Sequence, residues 1–242
     1  MRVGFIGGKW LGIKCLEVLC RDNRFDVVAV SVPPRDRNVW WDDVVDEDEV
    51  ERLGFSNTTP EDVLYQNLDL VFSVLTGHIF TSNDLLKFSI INLHPAPLPY
   101  YRGCNSYAHA IMNKEPYYGV SLHYIDEGID TGPVIDVDWM PIYDDDTGKS
   151  LYHRAQPIAL TMFKRNLSGI YDAHSWGSRT ATTTQDDSQA KYYKRDSLQE
   201  HMSIHYTDEE ADRKIRALTF PPHPLPKLIL PKLEGAAHDN QR

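Results

Sequence analysis

The sequence is poor in the features that would bind a long polyanion. Its 25 lysines and arginines are outnumbered by 35 aspartates and glutamates, giving a formal charge of −10. The basic residues form no stripe. Displacing counterions from a row of phosphates needs clustered Lys and Arg, so an extended nucleic-acid surface is excluded and only a local basic pocket remains open. No window holds the roughly 20 apolar residues of a membrane-spanning helix. The opening "MRVGFIGG" is a strand pattern and not a signal peptide, which predicts a cytoplasmic protein. The three cysteines, Cys15, Cys20 and Cys104, have no metal-ligand spacing and make no even disulfide set; a reduced compartment fits. Internal repeats are missing. Gly4, Gly7, Gly8 and Gly12 lack the G-x-G-x-x-G order after the first strand, which argues against a nicotinamide cofactor. These glycines are read instead as tight turning or close approach to a ligand.

What is present reads as an α/β chain. At 242 residues it is long enough for one α/β domain and a small appendage. Residues 2–8 form an apolar strand, followed by a helix with Leu11, Cys15, Leu16, Val18 and Leu19 on one face, then a strand over 25–34 stopped by two prolines. That strand–helix–strand order predicts a parallel, Rossmann-like open sheet. Residues 35–59 are charged and aperiodic, a solvated loop with a short helix near the acidic run 42–51. Further expectations are a helix over 60–68, a central strand over 69–77, a capped helix over 81–88 and a strand ending in Asn92 and His94. Beyond these come a helix over 105–113 capped by Asn105 and strands over 118–126 and 134–142. A long helix begins at about Thr147 and is interrupted or kinked near Pro157. The polar stretch 180–189 reads as a connector, leading to a capped helix in "TDEEADRKIRAL" and a Pro-rich strand in "FPPHPLPKLIL". The expected division is a catalytic domain over 1–177, a substrate-binding and dimerisation segment over 178–233, and a disordered tail over 234–242. Residues 1–177 should fold without the rest.

The chain is organised around residues 90–133. Asn92 and His94 stand two apart on one strand, hence on one face, and Asp130 lies in a loop after a later strand. Strand ends and the loops behind them are where open α/β sheets place ligands. The Asn-x-His-Pro segment, the Leu-Pro-x-x-Arg-Gly that follows and the Asp-x-Gly-x-Asp-x-Gly of "IDEGIDTG" resemble the formyltransferases that use N10-formyltetrahydrofolate. Within that family, "HPAPLPYYRGCN", "KYYKRDSL" and "KIRALTFPPHPLP" are most similar to the sugar N-formyltransferases. The resemblance covers most of the chain and is weakest between residues 32 and 59.

It implies formyl transfer from N10-formyltetrahydrofolate to the amine of a nucleotide-linked amino sugar, such as a dTDP-4-amino-4,6-dideoxyhexose. Asn92 would stabilise the oxyanion, His94 would take the proton from the amine and Asp130 would orient His94. The family's folate slot maps onto His78, Ile79, Phe80, Ile125, Asp126 and Ile129. For Asp126 a surface turn, and for His78 a solvated loop, are equally open readings. A sugar pyrophosphate calls for Lys or Arg; candidates are Lys9, Arg102, Lys194 and Arg195, with Trp10, Tyr192 and Tyr193 offering aromatic faces. Arg102 serves equally as a loop buttress, and the tail basics as surface charge. Asn105 and Tyr107 either contact the sugar or cap and pack. His201 and His205 have no third ligand nearby, so no metal is expected, and Cys104 reads as packing. A homodimer is expected through the Pro-rich C-terminal strand. Rival readings are the methionyl-tRNA and glycinamide ribonucleotide enzymes, a formate-releasing hydrolase of the same donor, and a non-catalytic folate or nucleotide-sugar binding module.

Overall fold

The computed structural model describes residues 1–33 and 47–230. The acidic run in part, and the expected disordered tail in full, lie outside them. Six strands form the central sheet: β1 (Arg2–Gly7), β2 (Asp26–Ser31), β3 (Leu70–Val74), β4 (Ser89–His94), β6 (Tyr117–Tyr124) and β7 (Val134–Pro141). Their order is β2-β1-β3-β4-β6-β7. The first four are parallel, whereas β6 runs antiparallel to β4 and β7 antiparallel to β6. The chain moves outward from β1 in both directions, so the switch point lies between β1 and β3, where Gly8 N–H donates to the Val74 carbonyl at 3.0 Å.

Apolar runs set this layout. All five residues of β3 are buried, as a strand flanked by neighbours and covered on both faces requires. Helix α1 (Lys9–Arg21) buries Leu11, Cys15, Leu16 and Leu19, at helical spacing. Helix α6 (Gly148–Ser175) starts on a capping box between Thr147 and Ser150 and buries Leu151, Tyr152, Ala155, Ala159, Met162, Phe163, Leu167 and Ile170. It runs unbroken through Pro157, because its packed face outweighs one missing backbone donor. Phe163 meets Phe72 edge-on at 5.3 Å. The outer strand β7 is guarded by Arg165, whose guanidinium holds both Asp136 and Asp138; charged edges resist pairing with other chains. After helix α2 (Glu47–Arg52), helix α3 (Pro60–Leu64) and helix α4 (Ser82–Lys87) each open on a capping box, Thr59 with Asp62 for α3 and Thr81 with Asp84 for α4. Helix α3 is shorter than expected.

Two further findings differ from the sequence reading. Asn105 precedes helix α5 (Ser106–Met112) but does not cap it with its side chain: its backbone is left-handed, φ +61°, and its amide donates to the Arg195 carbonyl at 2.9 Å. The polar stretch 180–189 is tied down along its length. Thr183 bridges Val134, and Gln185 and Asp187 both reach Arg102.

The C-terminal segment is stitched onto the body by short pieces. Strand β8 (Tyr192–Tyr193) pairs with β5 (Arg102–Gly103), and β9 (Ser203–His205) with β10 (Lys227–Ile229). Helix α7 (Ala211–Leu218) buries Ala217 and Leu218. It also sends Arg213 to the Met112 carbonyl and Arg216 to the Asp146 carbonyl. No helix among the described residues is long and apolar enough to cross a membrane.

Candidate active site

Three neighbouring strands place a polar row within the sheet. Ser73 on β3 stands beside Asn92 on β4, and His123 on β6 stands directly opposite Asn92. Ser73 Oγ donates to Asn92 Oδ1 at 3.0 Å, and Asn92 Nδ2 lies 3.0 Å from His123 Nε2. His123 Nδ1 lies 2.8 Å from the Tyr124 carbonyl. A carbonyl only accepts, so Nδ1 carries the hydrogen and Nε2 takes one from the Asn92 amide. That fixes which way Asn92 points. Its second N–H has no acceptor among the described residues.

The same logic applies two residues on. His94 Nε2 lies 2.9 Å from the Tyr101 carbonyl, so the hydrogen sits on Nε2 and Nδ1 keeps its lone pair. Asp130 Oδ2 is 3.7 Å from that Nδ1, and its Oδ1 is 3.7 Å from His123 Nε2. The carboxylate bridges the two imidazoles without a direct hydrogen bond to either. Gly103 N–H donates to Oδ2 at 2.9 Å. Burial alone would lift the Asp130 carboxyl, but His94, His123, the Gly103 N–H and Arg102 together hold it below the usual carboxylate range. Asp130 is therefore an anion set between two rings.

Backbone geometry explains how Asp130 arrives there. Residues 125–132 leave β6 and return: Tyr124 N–H donates to the Pro133 carbonyl at 3.0 Å. A side chain at Gly132 would place its Cβ 1.9 Å from the Tyr124 carbonyl oxygen, so only glycine closes the loop. Asp130 itself adopts φ +55°, a strained choice for a residue other than glycine. Gly103, at φ +89°, lies 2.2 Å from the Tyr193 carbonyl by the same measure, so β8 clamps the loop that donates to Asp130. Ser121 Oγ anchors the Pro-rich loop by donating to the Ala96 carbonyl and accepting from Leu98 N–H.

The sequence reading misses Ser73 and His123 of this group. His123 is 1% exposed, and burial first, against the Asp130 charge, brings it down to about 4. His109 is also lowered to about 4 by burial. Both stay neutral in the fold while the unfolded chain protonates near pH 6.5. The unfolded state then binds more protons between about pH 6.5 and 4, so stability falls as pH drops through that window. Thermal melting of the intact protein should show this loss, and His109→Gln should flatten it. A melting temperature level from pH 7 to 4.5 would refute the assignment.

The expected folate-slot residues divide into two groups. Phe80 and Ile125 pack against one apolar cluster with Val63, Leu64, Leu68 and Ile90, while Ile79 and Ile129 are exposed. Asp126 accepts from Thr131 Oγ1 and Gly128 N–H, the bonding of a turn residue. The His78 ring meets Phe80 edge-on at 4.8 Å, and its Nε2 is buried without a hydrogen-bond partner. It lines a cavity of about 240 Å³ with Glu61, Leu64, Tyr65, Thr81, Asp84 and Lys87, none of them in the Asn92–His94–Asp130 group.

Of the expected sugar-nucleotide residues, Lys9 and Arg195 lie near the switch point. Lys9 heads α1 with its ammonium 5.9 Å from the Tyr152 ring centre. Burial first and Arg195 second bring it down to about 8. Arg195 also comes close to Gly77, whose Cβ would lie 3.8 Å from the guanidinium. Lys194 is exposed and Trp10 packs partly against the core. Tyr107 lies between Tyr118 and Tyr152 with its hydroxyl buried and unpartnered. Arg102 is different: its guanidinium is buried and held by Gln185 and Asp187, the buttress role. Tyr193 stacks between Tyr101 and His109, which leaves Tyr192 as the exposed ring of the pair. Among the described residues no His, Cys, Asp or Glu cluster could hold a metal.

Comparison with known proteins places this geometry. Residues 55–167 match the formyl transferase family. The chain is 32% identical over 155 residues to a GDP-perosamine N-formyltransferase of Brucella melitensis, covering 64% of this chain and 56% of the relative. It is 27% identical to a methionyl-tRNA formyltransferase of Methylacidiphilum infernorum, covering 93% of this chain and 73% of that one. Among solved structures, an N-formyltransferase from Helicobacter canadensis in complex with folinic acid and dTDP-3-aminofucose superposes with a TM-score of 0.75 at 25% identity, covering 89% of this chain and 79% of that one. The six-stranded sheet is the formyltransferase fold, and residues 55–167 within it match the formyl transferase family.

Proposed function

We propose that the protein transfers the formyl group of N10-formyltetrahydrofolate to the amine of a nucleotide-linked amino sugar, with a dTDP-4-amino-4,6-dideoxyhexose as the acceptor. The observation that carries this reading is the fixed polarity of β4: a free amide N–H on Asn92 and a lone pair on His94 Nδ1, two residues apart. The amine attacks the formyl carbon, forming a C–N bond and an oxyanion. Asn92 donates to that oxygen, and His94 Nδ1 takes the proton that the nitrogen loses, with Asp130 stabilising the imidazolium. Collapse breaks the bond from carbon to N10, and that proton returns to N10, releasing tetrahydrofolate and the formamide. The exposed Ile79 and Ile129 would flank the donor's flat ring, and Lys9 with Arg195 would meet the acceptor's phosphates.

The named ligands of the Helicobacter canadensis protein and the name of the Brucella relative support a sugar acceptor. Charge supports it over tRNA. A nucleotide sugar has two phosphates to neutralise, whereas a tRNA has many, and each neutralised phosphate steepens the loss of affinity with salt. We expect the protein to formylate an amino-sugar nucleotide, detected by mass spectrometry across dTDP-, UDP- and GDP-linked acceptors. Its binding should weaken only shallowly with salt, and the bare nucleoside diphosphate should compete. Tight, steeply salt-dependent tRNA binding would overturn the sugar reading.

A further inference from the structure

Gln185 lies between α6 and β8, far in sequence from β4, yet every hydrogen-bonding position of its amide is used. Its Oε1 accepts from Arg102 Nε at 3.0 Å and Nη2 at 2.8 Å. Its Nε2 donates to the Asp130 carbonyl at 2.8 Å and the Gly132 carbonyl at 2.7 Å. A primary amide offers two hydrogens and an oxygen with two lone pairs, and four contacts consume them. Orientation is one-way as well. Turned over, the amide would set N–H against guanidinium and oxygen against two carbonyls. Arg102 is itself anchored, by Asp187 at 2.7 Å and by the pairing of its backbone with Lys191. At the other end stands Asp130 at φ +55°, a conformation that persists only where the surroundings over-determine it.

We infer that Gln185 is a positioning residue for Asp130: it grips the carbonyls on either side of Thr131 and keeps the carboxylate between His94 and His123. The inference rests on the reading of Asp130 as the charge that serves His94. Without that grip the loop is free to relax, and a displacement of about 1 Å is enough to cost on the order of 100-fold in rate. Neither donor nor acceptor needs to touch Gln185 for this effect. Substrate affinities should therefore change little.

The test uses the full chain with Gln185→Met, which keeps length and removes every hydrogen bond, and Gln185→Glu. The glutamate still accepts from Arg102 but presents lone pairs to the two carbonyls, so it carries the test should Gln185→Met fail to fold. Two quantities are read. One is kcat and KM. The other is the NMR signals of the His94 and His123 ring nitrogens and the Gly103 amide in substrate-free protein at fixed pH, with Asp130→Asn as reference. We expect kcat to fall about 10- to 100-fold with KM within about 3-fold. The His94 and His123 ring signals and the Gly103 amide should move as they do in Asp130→Asn, since all three report the position of the same carboxylate. Added to Asp130→Asn, Gln185→Met should cost less than about 2-fold more. Full kcat in a folded Gln185→Met protein would overturn the inference. So would a loss that leaves those ring and amide signals in place and adds in full to that of Asp130→Asn. If the wild-type protein formylates no amino-sugar nucleotide, the functional reading fails, and the substrate-free ring and amide signals still decide the role of Gln185.

Discussion

His94→Ala should lower kcat by about 100- to 10,000-fold, the range typical of a positioned general base, while the protein stays folded. Stability should survive because His94 makes one hydrogen bond, to the Tyr101 carbonyl, whereas the sheet around it rests on buried apolar side chains. Asn92→Ala should cost about 100- to 1000-fold, as loss of an oxyanion donor does elsewhere. Asn92→Asp is the sharper probe. It keeps the shape, removes the N–H that faces the ligand and sets a lone pair against His123 Nε2, so turnover should fall as far as with alanine. Steady-state kinetics beside circular dichroism check all three. A His94→Ala enzyme with near-normal kcat would remove the proposed base.

Truncation after Gly177 should abolish turnover and lower thermal stability, an outcome less benign than composition alone suggests. The cut removes Gln185 and Asp187, the two partners of the buried Arg102 guanidinium. It removes β8, which clamps Gly103 beneath Asp130, and Ala217 with Leu218, buried against α5 and α6. A buried cation left without its partners is among the costlier defects a fold can carry. Arg195 goes as well, and with it the guanidinium beside Gly77. The full chain should be a homodimer, since Leu225, Leu228 and Leu230 are 61%, 44% and 66% exposed on and beside β10, and the truncated chain a monomer. Light scattering and a melting curve read both. A truncated monomer that formylates at the full rate would contradict the role given to the tail.

The central sheet was legible because its signals are long. The run "DLVFSVLTG" and the alternation in "GVSLHY" each span enough residues for burial on one or both faces to show as a pattern. Asn92, His94 and Asp130 stand out because the motifs around them are unusual polar insertions at strand ends. His123 was hidden for a physical reason: an isolated histidine in an apolar strand reads as ordinary core. Its importance comes from β6 running antiparallel to β4, which sets it opposite Asn92. Gln185 was hidden more deeply. It sits in a polar stretch without periodicity, and its partners lie 83 and 55 residues away. Strands of two or three residues, such as β8 and β9, are too short for any repeat to register. The left-handed backbone at Asn105 follows from the contact with the tail, which local propensity cannot contain.

The row that begins at Ser73 also constrains where protons travel. Each of its bonds points the same way, from Ser73 to Asn92, from Asn92 to His123 and from His123 to the Tyr124 carbonyl. An amide stands in the middle and a carbonyl closes the end, so the row conducts polarisation but not protons. Successive bonds strengthen one another, and what reaches the ligand is a firmer N–H on Asn92. His94 is closed off in the same manner, its second nitrogen ending on the Tyr101 carbonyl. A proton accepted at His94 Nδ1 therefore has no exit through the protein interior. In the proposed reaction it would leave by the side it entered, which makes the departing N10 its natural destination and ties each formyl transferred to one proton that crosses the cleft without passing through the fold.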